Sequence, residues 1–296
     1  MKIFVTGSNG FVGKELVNEL KKRKISFVEF SRKFGDDIND AKQIEKKMKG
    51  CDAVVHLAAI RNNAGDEEIK KINIDATKNV LLAAEKNKVK KFVFLSSIAV
   101  NGKIATIIDE STPMLGKGNY AKSKIEAEKL VKEFGKNFNY AILRPPFILG
   151  LDDNFKKMVE MIRDGLLLFD GNQKLGFVYV KNLNDAIIFV LKENISGTFV
   201  VAQQNELRVK EFYEIIYEFY NKKKNFVVLP KIFSKFLTYF LGFQIKLFKK
   251  NLVQEFFAID RLSNERLYSC KKLSGLGWKQ KFSSKESIID ALKELN

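Results

Sequence analysis

Three side chains in the middle of the sequence have types and spacing that could move a proton: Ser97, Tyr120 and Lys124. Tyr120 and Lys124 are four residues apart, so they share one face of a helix. A free tyrosine, with a pKa of about 10, transfers protons poorly at neutral pH, and a close lysine charge would lower that pKa. Ser97 is placed to hydrogen-bond the same substrate oxygen. Taken singly, the three could equally be a strand-end hydroxyl, a helix-start aromatic and a surface charge.

A glycine-rich turn near the start of the chain indicates a cofactor with which these residues could act. Ile3–Val5 is a continuous apolar run typical of a buried parallel strand, and Gly7, Gly10 and Gly13 follow it. Gly7 permits a tight turn, Gly10 leaves room for a pyrophosphate, and Gly13 lets the next helix pack closely on the strand. The unpaired amides of that helix would face the phosphates. Together with the tyrosine and lysine, the turn favours hydride transfer with a bound dinucleotide.

The end of the second predicted strand bears on which dinucleotide is bound. Ser31 and Arg32 follow Ile25–Phe30, at a place where an acidic residue would accept hydrogen bonds from the adenosine ribose. Arginine can instead hold a 2′-phosphate, so the sequence favours NADP(H), with NAD(H) as the alternative. The competing interpretation is a surface arginine beside Lys33.

Alternating strands and helices must position these residues. The alternation predicts an α/β fold, a Rossmann-type doubly wound parallel sheet that binds ligands beyond the carboxyl ends of its strands. Ser96-Ser97, the Tyr120 and Lys124 pair, and Arg144-Pro145-Pro146 fall at or beyond such ends. The predicted strands are Ile3–Val5, Ile25–Phe30, Ala53–Leu57, Lys91–Leu95 and Tyr140–Leu143, and the predicted helices run to Arg23 and over Ala41–Lys49, 66–87 and Tyr120–Phe134.

The composition is that of a globular protein with a basic excess. Of 296 residues, 46% are hydrophobic and 4 are proline, which gives little support to a disordered or fibrous chain. The net charge of +17 could reflect nucleic acid, an anionic membrane surface or an anionic substrate. The lysines are scattered over helix faces without a nucleic-acid-binding module, so we expect a solvated surface and no nucleic-acid partner.

Histidine and cysteine are too sparse for several other kinds of site. His56 is the only histidine and ends an apolar strand, which indicates packing rather than the base of a Ser-His-Asp hydrolase. Cys51 and Cys270 lack metal or redox spacing, so we expect no metal, and free thiols in a reducing cytoplasm. No signal peptide precedes the first strand, which also favours a cytoplasmic protein.

A long apolar stretch in the second half is Ile232–Phe248, IFSKFLTYFLGFQIKLF. Its uninterrupted apolar core is shorter than the roughly 20 residues that a membrane-spanning helix requires. We therefore expect it to line a substrate lobe, with a position on a membrane surface as the less favoured alternative.

The motifs together resemble those of the extended short-chain dehydrogenases and reductases, the NAD(P)-dependent epimerase/dehydratase family. Thr6–Gly13, TGSNGFVG, matches the family's TGxxGxxG turn, and Tyr120–Lys124, YAKSK, matches its YxxxK pair. The similarity continues through Cys51–Ala59, Asn73 and Phe177–Asn182, so it covers nearly the whole chain.

The resemblance implies a chain of two parts. Residues 1–145 should form an NAD(P)-binding Rossmann domain to which 177–202 returns, and 146–176 and 203–296 should form a substrate-binding lobe. It also implies a homodimer that pairs through the helices near 66–87 and 120–134.

The resemblance also assigns roles. Tyr120 should be the acid/base, Ser97 should orient the reacting oxygen and Lys124 should hold the nicotinamide ribose. Asp37 and Ile38 should flank the adenine, and basic residues of the lobe should hold a diphosphate. The residues expected at the cofactor are Gly7, Asn9, Gly10, Phe11, Val12, Gly13, Ser31, Arg32, Asp37, Ile38, Leu57, Ala58, Ala59, Asn73, Tyr120, Lys124 and Pro145.

Within the family, Ser96–Gly102, Arg144–Pro146 and Tyr179–Leu183 resemble bacterial reductases of UDP-linked 4-keto-6-deoxy amino sugars, which serve surface-polysaccharide synthesis. UDP-hexose and N-acetylhexosamine 4-epimerases are the alternative, but such epimerases usually carry tyrosine at the position of Asn101 and an acidic residue at that of Ser31. A non-catalytic dinucleotide-sensing protein is the third hypothesis, and the intact tyrosine and lysine pair argues against it.

Overall fold

The computed structural model describes residues 1–61, 64–102, 107–163, 173–205, 207–223 and 267–295. The apolar stretch 232–248 lies outside these residues. The chain folds into two units, each built from several segments of the sequence. The first contains Met1–Pro146, Val180–Ala202 and Ser269–Lys281, and the second contains Phe147–Tyr179, Gln203–Tyr268 and Phe282–Asn296.

A parallel sheet of six strands forms the centre of the first unit. Its strands are β1 (Lys2–Thr6), β2 (Ser26–Phe30), β3 (Ala53–His56), β4 (Lys91–Leu95), β6 (Asn139–Arg144) and β10 (Gly197–Val200). They lie in the order β10-β6-β4-β3-β1-β2. The chain steps outward from β1 to β2 and then returns to the other side of β1 with β3. The carboxyl ends of β1 and β3 therefore border the crevice where such sheets bind ligands.

Helices surround this sheet. They are α1 (Phe11–Lys22), α2 (Ala41–Met48), α3 (Asp66–Lys70), α4 (Ala76–Lys86), α5 (Asn119–Phe134), α7 (Val180–Lys192) and α9 (Lys271–Gly275), with 3₁₀ turns at Arg32–Phe34 and Ile98–Asn101 and a short strand β5 (Ile107–Ile108). The core on one face joins Phe4, Val54 and Phe92 of the sheet to Ile44 of α2 and Val80 of α4. On the other side, α1 packs on α7. The predicted α/β Rossmann-type fold is therefore confirmed for the first unit.

The predicted helix at 66–87 is not uniform. A π turn, Lys71–Asp75, joins α3 to α4, so the segment forms one helical run with a wider turn in its middle. A π turn accommodates an extra residue, and such turns occur frequently at functional sites. The apolar spacing on either side remains helical, which is why the sequence pattern predicts a regular helix.

The second unit contains short strands and three helices among its described residues. They are β7 (Phe147–Leu149), α6 (Asp153–Arg163), β8 (Lys174–Leu175), β9 (Phe177–Tyr179), β11 (Leu207–Arg208), α8 (Val209–Phe219), β12 (Leu267–Tyr268) and α10 (Ser284–Lys293). Strand β7 pairs with β9 in parallel and β8 pairs with β11 in antiparallel fashion. Helix α8 packs on both α6 and α10. Tyr179 donates a 2.6 Å hydrogen bond to Asp290, which ties β9 to α10.

The two units differ from the predicted division at two segments. Phe177–Tyr179, expected to return to the Rossmann domain, groups with the second unit because it pairs with β7. Ser269–Lys281, expected in the lobe, groups with the first unit. There Lys272 donates a 3.0 Å hydrogen bond to the carbonyl of Thr198 in β10 and lies over the Phe199 ring.

A membrane-spanning helix would need a long, apolar run. Within the ranges given above, no helix is both long enough and apolar enough to cross a bilayer.

Candidate active site

The predicted site residues all lie in the first unit, at or beyond the carboxyl ends of its strands or on the helices that follow. The glycine turn is one part of this region. A Cβ atom on Gly13 would lie 2.2 Å from the Gly7 carbonyl oxygen, and one on Gly7, whose φ is +68°, would lie 2.8 Å from the backbone nitrogen of Ala58. A Cβ on Gly10 would meet the Gly7 oxygen at 3.2 Å. The turn thus packs backbone against backbone and leaves no space for side chains.

Helix α1 begins at Phe11, directly after this turn, and its amino terminus is built for an anion. Gly10 supplies no side-chain cap and the first turn contains no acidic residue. The first amides of a helix have no partner within it and carry the positive end of its dipole. Within the described ranges, the buried Oγ of Ser8 also has no hydrogen-bond partner. These groups fit the pyrophosphate of a dinucleotide.

The turn after β2 is braced by a buried carboxylate. Asp36 accepts a 2.9 Å hydrogen bond from the backbone nitrogen of Ser31 and a 2.5 Å contact from Lys47. Ser31 Oγ in turn accepts a bond from the backbone nitrogen of Lys33. Arg32, the first residue of the 3₁₀ turn, is exposed. The Asp36 carboxylate is therefore engaged within the turn, while the Arg32 side chain reaches solvent.

The two residues expected to flank the adenine have different surroundings. Asp37 is exposed, and N–H donors of Asn39 lower the pKa of its carboxyl. Ile38 is buried and belongs to the core cluster that contains Phe4 and Phe30. Of the pair, only Asp37 presents a mainly solvent-facing side chain.

The backbone after β3 runs past the glycine turn and is held in place by side chains from elsewhere. Leu57 and Ala58 donate backbone hydrogen bonds to the carbonyl oxygen and the Oγ of Thr6. Asn73, in the π turn, binds Ile60 twice: its Oδ1 accepts from the Ile60 nitrogen and its Nδ2 donates to the Ile60 oxygen, both at 2.9 Å. Ala59 remains exposed between these contacts.

The side chain of Asn73, which the sequence predicts to contact the cofactor, has several partners within the protein. Its Nδ2 also donates a 3.0 Å hydrogen bond to Ser123 on α5, so both amide hydrogens and the oxygen are engaged within the protein. Ser123 Oγ donates in turn to the carbonyl oxygen of Tyr120. The structure therefore gives Asn73 the role of a brace between the β3 loop and the start of α5.

His56 forms a buried chain with two threonines. Its Nδ1 lies 2.6 Å from Thr6 Oγ1, and its Nε2 lies 2.9 Å from Thr77 Oγ1. Thr77 Oγ1 donates to the Asn73 carbonyl oxygen, which leaves its oxygen to accept from His56 Nε2–H. Burial, with the charge of Lys124 adding to it, lowers the pKa of His56 to about 3. The histidine is therefore neutral and structural, as its place in the sequence indicates.

Ser97 and Tyr120 are brought together from separate elements. Ser97 follows β4, and its Oγ accepts a 3.2 Å hydrogen bond from the backbone nitrogen of Ala99. The same side chain is close enough to Tyr120, in the first turn of α5, to lower the pKa of the Tyr120 hydroxyl. The backbone nitrogen of Ile98 donates to the Pro145 carbonyl oxygen, which joins this loop to the end of β6. A serine and a tyrosine hydroxyl therefore meet at the carboxyl edge of the sheet.

The charge around Tyr120 differs from the expectation. Burial is the main influence and raises the pKa of Tyr120, while the charge of Arg61 and the hydrogen bond from Ser97 oppose it. The sequence predicts that Lys124 supplies the lowering charge, but its Nζ donates a 2.9 Å hydrogen bond to the Leu95 carbonyl and lies 4.7 Å from the centre of the Phe94 ring. Burial also lowers the pKa of Lys124 to about 7, so its charge is only partly present at neutral pH.

Arg61 is a site residue that sequence reasoning missed. It is exposed, and its positive charge acts on both Tyr120 and Lys124. It lies just beyond Ile60, the residue that Asn73 clamps. The only signal in the sequence is a basic residue soon after the predicted strand Ala53–Leu57, which by itself is unremarkable on so basic a chain.

Asn101, which in the sequence weighs against the epimerase alternative, does not face solvent. It is fully buried, and its Nδ2 donates to the carbonyl oxygens of Thr112 and Pro113, at 2.6 and 3.3 Å. The residue therefore holds the loop that leads toward α5.

Residues 3–202 match the NAD dependent epimerase/dehydratase family. The chain belongs to this family. The match spans the glycine turn, the Ser97 loop and the pair on α5, so the family assignment and the resemblance of these motifs agree. Membership in the family makes the protein an enzyme of the NAD-dependent epimerase and reductase kind.

Two curated members of the epimerase/dehydratase family illustrate the range of chemistry. The chain is 28% identical to N-acetyl-alpha-D-glucosaminyl-diphospho-ditrans,octacis-undecaprenol 4-epimerase of Escherichia coli O157:H7, over 77% of this chain and 75% of that protein. It is 30% identical to 4-hydroxy-2-methyl-3-oxo-4-farnesyl-3,4-dihydroquinoline-1-oxide ketoreductase of Stigmatella aurantiaca, over 55% of each chain. One relative is an epimerase and the other a ketoreductase.

Among solved structures, the chain is similar to UDP-glucuronic acid 4-epimerase from Bacillus cereus in complex with NAD. The TM-score is 0.75 at 20% identity, and the alignment covers 100% of this chain and 99% of the other. Identity this low supports a statement about the fold alone, and it confirms the Rossmann-type prediction.

Proposed function

We propose that the protein is a dinucleotide-dependent oxidoreductase of nucleotide sugars, and that it reduces the 4-ketone of a UDP-linked sugar. The observation that carries the proposal is that the side chains of Ser97 and Tyr120 come together at the carboxyl edge of a sheet whose first turn fits a pyrophosphate. A pair of hydroxyls placed in this way can bind one carbonyl oxygen from two sides and deliver a proton to it.

The reduction divides between the cofactor and the protein. When bound, the reduced dinucleotide supplies the hydride that adds to the carbonyl carbon. Tyr120 donates its hydroxyl proton to the carbonyl oxygen, so that ketone, hydride and proton together give the alcohol. Ser97 donates a hydrogen bond to the oxygen as negative charge develops there. Lys124 would hold the nicotinamide ribose through its ammonium group.

The protonation state of Tyr120 supports the direction of reduction. Because burial raises the pKa of Tyr120, its hydroxyl keeps the proton at neutral pH. The protonated form is the one that a ketone reductase needs at the start of the reaction.

The turn after β2 supports NADP(H) as the reductant, with NAD(H) as the alternative. The buried Asp36 carboxylate is engaged by Ser31 through one oxygen and by Lys47 through the other, so it is not presented to a ribose. Arg32 is exposed at the same turn and could pair with a 2′-phosphate.

The second candidate is 4-epimerisation, which the similarity to 4-epimerases favours. In that reaction the same residues remove hydride from C4 and return it to the other face after the keto sugar has rotated. The two reactions differ in cofactor use, because a reductase consumes reduced dinucleotide and an epimerase shows no net consumption.

The sugar substrate of such an enzyme is attached to a diphosphate carrier. A uridine diphosphate is our first choice, and the basic excess of +17 is consistent with binding a diphosphate. The Escherichia coli relative is named for a sugar on undecaprenyl diphosphate, which makes a lipid diphosphate the alternative carrier. The apolar stretch 232–248 would suit such a lipid, and membrane-surface association then follows.

We further propose a cytoplasmic homodimer that pairs through α4 and α5 and takes part in surface-polysaccharide synthesis. Leu82 on α4 is 39% exposed, so it offers an apolar contact on the outer side of this helix. Light scattering of the full chain would test the dimer, and a Leu82→Glu variant should shift it to monomer.

A direct assay distinguishes these functions. The protein is incubated with UDP-linked 4-keto and 4-hydroxy sugars and each dinucleotide, and both the cofactor absorbance and the sugar products are followed. Stoichiometric oxidation of NADPH with the ketone supports reduction. Interconversion of the 4-hydroxy sugars without net change of the cofactor would show that the protein is an epimerase and not a reductase. Dinucleotide binding with no turnover of either would revive a sensing role.

A further inference from the structure

A buried carboxylate lies on the catalytic face of α5, one turn beyond Lys124. Tyr120, Lys124 and Glu128 follow each other at intervals of four residues, so they lie along one side of the helix. Glu128 is fully buried and forms a two-point ion pair with Arg144 at the end of β6. Arg144 Nε lies 2.9 Å from Glu128 Oε1, and Arg144 Nη2 lies 2.6 Å from Oε2.

Glu128 has a further partner next to the catalytic serine. Ser96 Oγ donates a 2.6 Å hydrogen bond to Glu128 Oε1, and Ser96 directly precedes Ser97. The Ser96 backbone nitrogen donates to the Leu143 carbonyl oxygen at 2.8 Å. One carboxylate therefore connects the helix that carries Tyr120 to the ends of both β4 and β6.

The charges around Glu128 do not make this arrangement an obvious source of stability. Arg144 neutralises Glu128, Lys132 lies 4.0 Å away at the protein surface, and Lys124 lies one turn back on α5. Burying an ion pair costs desolvation that its attraction often only balances. Within the described ranges, Arg144 Nη1 is also buried with no hydrogen-bond partner. We therefore look for the role of the cluster in the elements that it joins, and not in a contribution to stability.

We propose that Glu128 is a positioning residue for the hydride-transfer reaction: with Arg144 and Ser96 it fixes α5 against the end of β4, and so keeps Ser97 at the hydroxyl of Tyr120. The inference rests on the proposed function of Ser97 and Tyr120. It assigns Glu128 no contact with substrate or cofactor.

One further contact joins α5 to the end of β4. Lys124 Nζ donates a hydrogen bond to the carbonyl oxygen of Leu95, the residue before Ser96. Together with the bond from Ser96 to Glu128, this joins α5 to two successive residues at the end of β4. When a cofactor ribose competes for Lys124, the Glu128 contact remains as the tie between helix and strand. The catalytic distance between Ser97 and Tyr120 would then depend on Ser96 and Glu128.

The main test uses Ser96→Ala, which removes one hydrogen bond and leaves the Glu128–Arg144 pair intact. We expect kcat for ketone reduction to fall about 10- to 100-fold, because misplacement of catalytic groups is costly, with the Kd for the dinucleotide unchanged. Ser287→Ala removes a buried hydroxyl that hydrogen-bonds within the second unit, and it serves as the matched control with unchanged kcat. Equal kcat in wild type and Ser96→Ala would overturn the proposal.

A double-mutant cycle asks whether Ser96 acts through Ser97. In the Ser97→Ala background, adding Ser96→Ala should change kcat by less than about 2-fold, since the group it positions is already absent. If the fall in kcat of the double variant equals the product of the two single falls, Ser96 acts independently of Ser97, and the proposal would be wrong.

A readout without substrate separates this inference from the proposed function. The ultraviolet titration of Tyr120, obtained as wild type minus Tyr120→Phe, should move to higher pH in Ser96→Ala, because the Ser97 bond that favours the phenolate is weakened. This holds even if wild type turns over no nucleotide sugar, which would contradict only the proposed function. An unmoved titration would contradict the positioning role.

Glu128 itself is tested with two variants. Glu128→Gln leaves Arg144 without its partner charge and should lower both kcat and stability. The pair Glu128→Leu with Arg144→Met replaces the ion pair by apolar groups, so we expect near-normal Tm but the same loss of kcat as in Ser96→Ala. Full kcat in this double variant would show that no carboxylate is needed, and would overturn the proposal.

Discussion

Lys124 Nζ donates its 2.9 Å hydrogen bond to the carbonyl oxygen of Leu95, and not to Tyr120, four residues earlier on the same helix. The lysine is almost fully buried, and burial lowers its pKa to about 7 from an ordinary value of 10.5. Below about pH 7 the lysine is protonated in both the folded and the unfolded state, and its buried charge lowers the free energy of unfolding. As the pH rises from about 7 toward 10.5, only the unfolded state keeps the proton, so the free energy of unfolding increases.

Replacing Lys124 by methionine should therefore stabilise the protein most at low pH. We expect the advantage of Lys124→Met over wild type to shrink between about pH 7 and pH 9, by up to about 1.4 kcal/mol per pH unit. Urea unfolding across this range measures it. Lys122→Met removes an exposed lysine from the same helix and controls for the loss of a charge. A difference that does not change with pH would contradict the assigned pKa.

Tyr120→Phe should reduce kcat by about 100- to 10,000-fold, the usual contribution of a general acid. Cofactor affinity and Tm should stay close to those of wild type, because only a hydroxyl is lost. Tyr140→Phe removes a phenol hydroxyl from β6, away from Ser97, and should leave kcat unchanged. The measurement is NADPH oxidation with a UDP-linked 4-keto sugar. Retention of most of the activity in Tyr120→Phe would rule out its role as the acid.

His56 should remain neutral far below the pH at which a histidine ordinarily takes up a proton. With a folded pKa of about 3 and an ordinary value of 6.5, its imidazole resonances should not titrate between about pH 8 and pH 5. It is the only histidine of the sequence, so its signals are unambiguous in untagged protein. A titration midpoint near pH 6 would contradict the buried hydrogen-bond chain.

The same histidine should make folding sensitive to acid. Its contribution to the free energy of unfolding is complete above about pH 6.5 and is lost as the pH falls toward about 3, because only the unfolded state binds the proton. His56→Gln removes this titration, so the stability difference between wild type and variant should narrow with acid by about 1.4 kcal/mol per pH unit.

Gly13→Ala should abolish dinucleotide binding. Its Cβ would lie 2.2 Å from the Gly7 oxygen and 2.8 Å from Ser8 backbone atoms, so the turn and α1 must separate. Gly275→Ala, where no atom lies within 4 Å of the added Cβ, should instead be neutral or stabilising by up to about 1 kcal/mol. Titration calorimetry and thermal unfolding of the two variants give the comparison. Normal cofactor affinity in Gly13→Ala would mean that the phosphates bind elsewhere.

Arg32→Ser should reduce kcat/KM with NADPH about 10- to 100-fold while leaving the value with NADH nearly unchanged, since a charge-assisted contact to phosphate is worth roughly 1.5–3 kcal/mol. Lys33→Ser, at the neighbouring exposed position, is the matched control. Equal losses with both dinucleotides, or none with either, would leave the 2′-phosphate contact without support.

Local features of the sequence predict much of the fold and part of the site. The strands and glycine turn follow from apolar runs and from backbone packing that only glycine allows, as Gly7 and Gly13 show. The periodicity at 66–87 predicts a helix without its π turn, because the apolar spacing on either side of the turn remains helical; Asn73 within the turn bonds Ile60, outside the helix. Periodicity within one helix cannot reveal such a contact.

The missed parts of the site are charges whose positions depend on tertiary structure. Tyr120 and Lys124 share a helix face as predicted, but the lysine points to Leu95, and Arg61 supplies the charge that acts on the tyrosine. Glu128 has the sequence signature of an ordinary helix residue. The role proposed for Glu128 depends on its contacts with Ser96, after β4, and Arg144, at the end of β6, which only the tertiary structure shows.

The chain of hydrogen bonds from Thr6 through His56 and Thr77 to Asn73 permits a single order of donors and acceptors. No second tautomer of the imidazole satisfies both neighbours, because the Thr77 hydrogen is already given to the Asn73 carbonyl. The ends of β1 and β3 and the start of α4 are consequently joined by the protein's own hydrogen bonds, in the absence of any ligand. Binding a dinucleotide beside these residues then costs no entropy for ordering them.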